Sequence, residues 1–350
     1  MVMMELVRKP TLQDVAFRAG VHPSTASRSL DPLQSARIGT ATRERVLQTA
    51  RELDYQPHIA AGSLRRGRSR TVGVLVPDLS NPIYAALLAG ISARLERDGY
   101  TAIIFETRED AKAMTNALRI LGERRVEGAI NAAARARDQR RLVQFARKGI
   151  PLVLTARDLP GLRVPRVLND DAKGGSLAAE HLLSMGHRRV AQITGPADVE
   201  SFVERGRGFR SVLDSANNRS HSPDVGTRAG TVEEGRRAMR VLLRRREAPS
   251  AVFAHNDLLA IGAMAAIRDA GLRCPHDVSV VGYNDTPLTG YLDPPLTTVR
   301  FPAAQLGRVA ADTVLAMLGG AEPPLVLALE PQLVVRQSTA TAAAPAGRQR

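Results

Sequence analysis

Residues 10–31, PTLQDVAFRAGVHPSTASRSLD, constrain the fold of this chain most, because they predict two short helices joined by a tight turn. Thr11 and Asp14 have the spacing of a capping pattern, which satisfies the first amides of a helix, and Val15 then begins an apolar face. Gly20 ends this helix, since glycine adopts the left-handed conformation of a tight turn without strain. The arrangement is that of a helix-turn-helix.

A second helix is predicted over residues 23–30, with His22 at its cap position and a proline at its first position, where a missing N–H costs nothing. Its apolar side consists of Ala26, Leu30 and the methyl group of Thr25. The outward-facing residues are Ser24, Ser27 and Arg28. A polar helix whose N-terminal end can approach phosphates is typical of a helix that reads DNA.

A third helix is predicted over residues 42–53, where Val46, Leu47, Ala50 and Leu53 recur at helical spacing. The first two helices alone would also fit a small amphipathic hairpin that packs against another segment. The third helix favours a closed three-helix core and weakens that alternative.

The charge of the chain points to nucleic acid. The formal net charge is +14, and only four of the 49 basic residues are lysine, so 45 are arginine, whose guanidinium suits phosphates and guanine edges. Residues 1–70 carry twelve basic and six acidic side chains, so the basic excess is concentrated there. Arginine-rich helices further along, such as residues 236–246, are interpreted as solvated faces.

From Thr71 the periodicity changes, and apolar strands alternate with helices. The predicted strands are TVGVLVP, TAIIF, VEGAIN, PLVLT, VAQIT, AVFAH and VSVVG, and the predicted helices span residues 83–97, 113–122, 140–148, 203–215 and 257–270. This alternation predicts parallel doubly wound sheets, here in two lobes joined near Asn169 and again near Leu296. Ligands bind such sheets at the carboxyl ends of the strands, so we expect a ligand in the cleft between the lobes.

Polar residues follow the predicted strands where such a cleft would need them. They are Asp78, Ser80, Asn81, Arg157, Asp158, Arg205, Asn256, Asp257, Asn284 and Asp285. An arginine flanked by carboxamides and carboxylates suits vicinal hydroxyls or a carboxylate on a ligand. Asn81, Asp257 and Asp285 could equally serve as helix N-caps, whereas Arg205 is a poor cap.

Long stretches of the chain resemble the LacI/GalR family of bacterial transcription regulators, named after the lactose repressor. The stretches are LQDVAFRAGVHPSTASRSLD, TRERVLQTARELDYQPHIAAGSLRRGRSRTVGVLVPDLSNP, AAEHLLSMGHRRVAQITGP, RGRGFR, NDLLAIGAM, DVSVVGYNDTP, PPLTTVRFP and LGRVAAD. The resemblance implies an N-terminal all-α helix-turn-helix DNA-binding domain and a periplasmic-binding-protein-like sensor of two doubly wound parallel-sheet lobes, an α/β fold. It further implies a homodimeric repressor that binds pseudo-palindromic operator double-stranded DNA and is controlled by a small-molecule effector, a sugar or a sugar-like compound.

The resemblance also assigns residues. Those expected at the DNA are Thr11, Pro23, Ser24, Thr25, Ser27, Arg28, His58 and Leu64. Leu64 is the hinge leucine, an apolar wedge that enters the minor groove and kinks a base step. Those expected at the effector are Asp78, Asn81, Arg157, Arg205, Asn256, Asp257 and Asn284. Ala156 and Asn284 stand where many sugar-binding members carry aspartate, which argues against a standard hexose effector.

The expected domain boundaries are 1–57 for the DNA-binding domain, 58–70 for the hinge helix and linker, 71–168 plus 297–322 for the first lobe of the sensor, 169–296 plus 323–339 for its second lobe, and 340–350 for a disordered tail.

Other classes of protein find little support in the sequence. The first strand is followed by PDLSNP rather than by the Gly-x-Gly-x-x-Gly of a dinucleotide-binding enzyme, and the seven histidines show no metal-binding spacing, so we expect no enzyme activity, cofactor or metal. A secreted sugar-binding protein would share the sensor fold but not the first 64 residues. Cys274 is the single cysteine, and no signal peptide or membrane-spanning run is present, so we expect a cytoplasmic protein with no membrane partner. The resemblance implies that it is bacterial and nucleoid-associated when bound to DNA.

Overall fold

The computed structural model describes residues 10–30, 37–55, 69–217 and 223–342. The chain divides into two compact units, Met1–Ser69 and Arg70–Arg350. No helix within the described ranges is long and apolar enough to cross a membrane.

The first unit contains a helix-turn-helix. Its helices are α1 Leu12–Arg18, α2 Pro23–Ser29 and α3 Thr40–Glu52. The predicted cap of α1 is confirmed, because Thr11 Oγ1 accepts the Asp14 backbone N–H at 3.3 Å and the Asp14 carboxylate accepts the Thr11 N–H at 2.7 Å. Gly20 has a φ of +63°, as the turn requires. His22 Nδ1 accepts the Ser24 N–H at 3.2 Å, so α2 begins where the sequence places it.

The three helices pack around one small apolar core. Its buried side chains are Val15, Ala16, Ala19, Ala26, Val46 and Ala50. Arg45 on α3 adds a polar tie, because its Nε donates to the carbonyl oxygen of Ala19 at 2.9 Å. This bond satisfies a carbonyl at the C-terminal end of α1 and holds that end against α3, next to the turn that leads into α2.

The second unit consists of two lobes, each built on a parallel sheet. The strands are β1 Thr71–Val76, β2 Thr101–Glu106, β3 Gly128–Asn131, β4 Leu152–Thr155, β5 Arg166–Asn169, β6 Val190–Thr194, β7 Val225–Gly226, β8 Ala251–Ala254, β9 Ser279–Asn284, β10 Thr297–Arg300, β11 Val326–Leu329 and β12 Gln332–Val334. The helices are α4 Pro82–Arg97, α5 Ala111–Glu123, α6 Gln139–Ala146, α7 Asp171–Ser184, α8 Glu200–Ser215, α9 Val232–Leu243, α10 Asp257–Asp269 and α11 Ala303–Leu318. Buried strand runs followed by helices produce this alternation, as the sequence predicts.

The strand orders are β11-β5-β4-β3-β1-β2 in the first lobe and β12-β10-β9-β8-β6-β7 in the second. Neighbouring strands run parallel except β12, which pairs antiparallel with β10. The order reverses beside β1 in the first lobe and beside β6 in the second. A doubly wound sheet leaves its crevice at such a reversal, beyond the carboxyl ends of the strands.

The expected lobe boundaries are wrong in the last third of the chain. Residues 297–300 form β10, which pairs with β9 and therefore belongs to the second lobe, whereas residues 326–329 form β11, which pairs with β5 in the first. The chain therefore crosses between the lobes three times: after β5, between β10 and α11, and between β11 and β12. Adjacent apolar segments of similar composition do not reveal which sheet each strand joins.

The segment expected to be a tail from residue 340 begins inside the second lobe. The Ala340 N–H donates to Ser279 Oγ at 3.1 Å, and the Ala342 N–H donates to the Met185 carbonyl at 2.8 Å. These backbone hydrogen bonds attach residues 340–342 to the second lobe. The rest of the expected tail lies outside the described residues.

Candidate functional site

A narrow cavity lies between the two lobes of the second unit, with a volume of about 40 Å³, enough for a few water molecules. Its lining residues come from both lobes: Asn81, Ile83, Tyr84, Leu87, Ala156 and Arg157 from the first, and Ser201, Phe202, Arg205, Asn256 and Asn284 from the second, with Phe301 at a crossing segment. The wall therefore combines aromatic and aliphatic surface with two arginines and three carboxamides.

The topology explains why these side chains meet. Asn81 follows β1, Arg157 follows β4, Asn256 follows β8 and Asn284 ends β9, all at the carboxyl edges of parallel strands. Since both lobes direct these edges toward the same crevice, residues distant in sequence line one cavity. The structure thus brings together five of the residues expected at the effector: Asn81, Arg157, Arg205, Asn256 and Asn284.

Arg205 is buried in α8 within a network of the second lobe. Its Nε donates to Asp171 Oδ1 at 2.8 Å, and its Nη1 donates to the His255 carbonyl oxygen at 2.5 Å. Its guanidinium carbon lies 3.7 Å from the ring centre of Tyr283, whose hydroxyl donates to the same Asp171 oxygen at 2.7 Å. Asn169, which ends β5 in the first lobe, donates to this hydroxyl from its Nδ2 at 2.5 Å. Arg205 is therefore held in place by both charge and stacking.

Arg157 is buried in the first lobe and forms a paired contact with Glu109. Its Nη1 and Nη2 donate to the two carboxylate oxygens of Glu109 at 3.0 and 2.6 Å. Burial alone would lower the pKa of Arg157, but the neighbouring Tyr84 and Glu109 raise it above the ordinary value, so the guanidinium stays charged. For Glu109, burial alone would raise the pKa of the carboxyl group. The charges of Arg157 and Arg135 outweigh burial, so the pKa of Glu109 lies below its ordinary value.

Glu109 also connects the cavity to a contact between the lobes. Its Oε2 accepts a hydrogen bond from Arg135 Nη1 at 3.1 Å, and Arg135 Nε donates to Asp198 Oδ2 at 2.8 Å. Arg135 follows β3 in the first lobe, whereas Asp198 follows β6 in the second. The Ala136 N–H adds a bond of 3.1 Å to the Asp198 carbonyl. A chain of ion pairs therefore runs from Arg157 to the opposite lobe.

Two of the expected effector residues do not line the cavity. Asp78 accepts hydrogen bonds from the Ser80 N–H and hydroxyl at 2.8 and 2.7 Å, and so shapes the loop after β1. Asp257 is fully buried, and its carboxylate is occupied by the Thr286 N–H at 2.8 Å and the Thr298 hydroxyl at 2.7 Å. Asp257 is not the helix cap either, because Asn256 Oδ1 accepts the Leu259 N–H and caps α10.

Asn81 serves as a helix cap and lines the cavity at the same time, since its Oδ1 accepts the Ile83 N–H at 3.3 Å. Asp285 instead accepts hydrogen bonds from Arg300 Nε at 2.7 Å and Arg336 Nη2 at 2.6 Å. Helix capping and lining the cleft, which the sequence presents as alternatives, are therefore compatible at Asn81.

In the first unit, α2 presents the residues expected at DNA. Arg28 is exposed, Pro23, Ser24, Thr25 and Ser27 are partly exposed, and Ala26 faces the core. Thr11 lies at the cap of α1, where its hydroxyl donates to Asp14 at 2.7 Å. His58 and Leu64 lie outside the described residues.

Sequence reasoning missed several parts of the site. Ser201 and Phe202 precede Arg205 by one helical turn, and Tyr84 lies in the first turn of α4, so helical spacing from the predicted residues could have identified them. Glu109, Arg135 and Asp198 follow strands in the same way as the predicted residues. Their mutual pairing carries no signal in the sequence, because it depends on how the loops meet.

Comparisons with known proteins agree along nearly the whole chain. Residues 11–58 match the family model described as bacterial regulatory proteins, lacI family, and residues 179–339 match the periplasmic binding protein-like domain. The HTH-type transcriptional regulator DegA of Bacillus subtilis (strain 168) is 34% identical, with 95% of this chain and 98% of DegA covered.

Two solved structures show the same architecture. The lac repressor dimer bound to operator and the anti-inducer ONPF superimposes with a TM-score of 0.86 at 28% identity, covering 95% of this chain and all of the other. The transcriptional regulator CelR in complex with cellobiose matches with a TM-score of 0.71 at 32% identity, covering 94% of this chain and 99% of the other.

Proposed function

The chain belongs to the lacI family of bacterial regulatory proteins, and from this premise we propose that it is a repressor whose affinity for operator DNA is set by a small molecule. The exposed outer face of α2 carries this proposal most directly. A capped helix with Arg28 exposed and Ser24 near its N-terminus can enter the major groove and contact base edges.

The first unit would bind as one half of a pair. Operator half-sites related by two-fold symmetry require two copies of this unit, so we propose a homodimer on pseudo-palindromic DNA in the bacterial cytoplasm, at the nucleoid. Two exposed apolar side chains on the second lobe support self-association. Leu288 and Tyr291 are 63% and 88% exposed, and they precede Leu292, which lines a groove of mixed character together with Ile261, Met264, Arg268, Arg273 and Asp293.

The cavity between the lobes would hold the effector. Its two arginines and three carboxamides are suited to the hydroxyls or anionic groups of a sugar or sugar-like compound. The cavity of about 40 Å³ is too small for such a molecule, so binding requires the lobes or the lining side chains to move. Coupling between this movement and dimer geometry would alter the spacing of the two DNA-binding units.

Operator selection tests the proposal. Purified protein would be used to select fragments from a library of bacterial genomic DNA, and the enriched sequence compared with random DNA by fluorescence anisotropy. We expect a pseudo-palindromic site bound at least about a thousandfold more tightly than random DNA, with binding that weakens as salt rises. Equal binding to both sequences at all salt concentrations would contradict a sequence-specific repressor.

A further inference from the structure

We propose that the effector is an anion, a small sugar-like molecule whose carboxylate or phosphate group binds Arg157 and Arg205 in the cleft. This inference rests on the proposed function, because it names the chemical class of the ligand at the same site. Four features of the cavity support it: the hydrogen-bonding character of its wall, the two buried guanidinium groups, and the position and second partner of Glu109.

The described residues of the cavity wall supply no carboxylate acceptor, and beyond two capping asparagines their side-chain acceptors are Asn284, Ser201 and Tyr84. No aspartate or glutamate is among the described residues that line it. The side-chain oxygen of Asn81 already accepts the Ile83 N–H at 3.3 Å, and that of Asn256 accepts the Leu259 N–H at 2.7 Å, so helix capping occupies both. The hydroxyl hydrogens of a neutral sugar need acceptors, whereas a carboxylate or phosphate needs only donors. The wall therefore suits an anion better.

Two buried guanidinium groups reach this wall. Arg157 and Arg205 have only 7% and 6% of their side chains exposed, so the charge of each is poorly screened by water. The hydrogen bonds of Arg205 to Asp171 and His255 use its Nε and Nη1, and its guanidinium stacks on Tyr283 at the cavity wall. Arg205 is thus held in place as a positively charged part of the wall that a ligand anion would meet.

Glu109 is the counter-ion of Arg157 and accepts hydrogen bonds from the two guanidinium nitrogens for which a ligand anion would compete. Its carboxylate makes two parallel hydrogen bonds to the guanidinium, at 2.6 and 3.0 Å, which is the geometry of a bound carboxylate ligand. Glu109 itself is absent from the cavity wall, and a third of its side chain is exposed. The residue is thus an internal counter-ion at the edge of the site.

An anionic ligand can take over Arg157 from Glu109 without leaving either residue unpaired. It keeps a second partner, Arg135, whose Nη1 donates to Oε2 at 3.1 Å. If a ligand carboxylate or phosphate takes over Arg157, Glu109 keeps Arg135, and Asp198, which shares Arg135, also pairs with Arg137 at 3.5 Å. If a neutral ligand displaced Glu109, Arg157 would stay buried without a counter-charge, which is strongly unfavourable. Exchange of Glu109 for a ligand at Arg157 therefore favours an anion over a neutral molecule.

Matched pairs of ligands test this selection in the full-length protein. Glucose would be compared with gluconate and glucose 6-phosphate, galactose with galacturonate, and ribose with ribose 5-phosphate, all at millimolar concentration and equal ionic strength. We expect at least one charged compound to raise the melting temperature while its neutral partner does not. The carboxylate and phosphate arms then show which anion is recognised. The inference is overturned if a neutral sugar stabilises as much as its charged partner, or if no charged compound does so.

Variants locate the effect at the proposed residues. Arg157→Gln should weaken the charged ligand at least about tenfold by calorimetry, because it loses a charge-assisted contact. Glu109→Gln should strengthen the same ligand, because it removes the internal competitor, and this opposite sign distinguishes selection from a structural role even if Arg157→Gln folds poorly. Arg119→Gln is the matched control, since Arg119 pairs with Glu123 on the outer helix α5 and should bind like wild type.

Unchanged affinity in both Arg157→Gln and Glu109→Gln would also overturn the inference. Failure of the proposed function would show separately, as a lack of operator preference in the DNA-binding experiment, which uses no ligand.

Discussion

Arg135 of the first lobe and Asp198 of the second form an ion pair across the cleft, with Arg135 Nε donating to Asp198 Oδ2 at 2.8 Å. Arg135 has 8% of its side chain exposed and Asp198 has 36%, so the pair is only partly screened by solvent. Arg135 also contacts Glu109, the counter-ion of Arg157 at the cavity wall. The ion pair between the lobes is therefore connected to the charged groups of the cavity. This relationship makes the cleft geometry open to a direct test.

Asp198→Ala should loosen the contact between the lobes without unfolding either. A partly exposed pair contributes about 1 kcal/mol, so amide hydrogen exchange should become several-fold faster in residues 132–138 and 196–203. Mass spectrometry of exchanged peptides measures this change. Glu123→Ala, which removes an exposed pair on α5, serves as the control and should leave both segments as in wild type. Equal exchange in all three proteins would mean that the pair does not hold the lobes together.

Arg28→Ala should cost about 1 to 3 kcal/mol of operator binding and relax base choice at one position in each half-site. The reason is that Arg28 is exposed on the outer face of α2, where it can reach a guanine edge. Fluorescence anisotropy on operator, on a site mutated at each position and on random DNA measures the effect. Arg51→Ala on α3 is the control for general loss of positive charge. An equal loss on operator and random DNA would make Arg28 a phosphate contact.

Leu64→Ala should weaken operator binding and reduce DNA bending while effector affinity stays the same, if the leucine acts as a wedge in the minor groove. Leu64 lies outside the described residues, so this prediction comes from the sequence. A circular-permutation gel assay measures the bend angle, and thermal melting checks the fold. A bend angle equal to that of wild type would remove the wedge role.

Arg205→Ala should destabilise the second lobe by about 3 to 5 kcal/mol, because it leaves Asp171 buried without its cationic partner. The double variant Arg205→Met with Asp171→Asn should recover much of this loss, since it removes both charges and keeps an acceptor for the Tyr283 hydroxyl. Urea denaturation measures both. Both proteins should lose the effector response while they retain operator binding. If the Arg205→Ala protein were as stable as wild type, the ion pair of Arg205 and Asp171 would not stabilise the second lobe.

Asp257 should make the protein more stable as the pH falls. Burial raises the pKa of Asp257 to about 6 from 3.8, with Asp285 adding to the effect and hydrogen bonds from Thr286 and Thr298 opposing it. Between these two pKa values the folded state holds a proton that the unfolded state has released. The stabilisation of the folded state by this proton is therefore present in full below pH 3.8 and is lost as the pH rises through 6.

The variant Asp257→Asn removes this titration. The difference in melting temperature between wild type and the variant should shift in favour of wild type as the pH falls from 7 to about 5, by the equivalent of about 1 to 2 kcal/mol. Differential scanning calorimetry at several pH values measures the difference. A difference that stays constant over this interval would mean that Asp257 does not titrate there.

Local signals in the sequence predict local structure well here. The cap formed by Thr11 and Asp14, the turn at Gly20 and the start of α2 at His22 each depend on a few neighbouring residues, and the structure confirms them. The position of polar residues after buried strands also predicts which side chains share a cavity, because parallel strands end at one edge. Asn81, Asn256 and Asn284 follow this rule.

Features that depend on the partner of a residue could not be predicted in the same way. Asp257 follows β8 just as Asn256 does, but one residue further along the helix it turns inward to Thr286 and Thr298. Strand β10 joins the second sheet through pairing with β9, and no property of its four residues specifies that neighbour. The ion pairs of Glu109 likewise depend on loops that meet only after both lobes have folded.

The three crossings between the lobes have a consequence for synthesis of the protein on the ribosome. The first sheet is completed by β11 and the second by β12, two strands that lie within the last twenty-five residues of the chain. Neither lobe can therefore reach its final strand order before residues 326–334 have been synthesised, whereas α1, α2 and α3 lie within the first 52 residues and pack against one another. A nascent chain would thus carry a folded DNA-binding unit before its sensor exists, so that control by the effector begins only once β11 and β12 have joined their sheets.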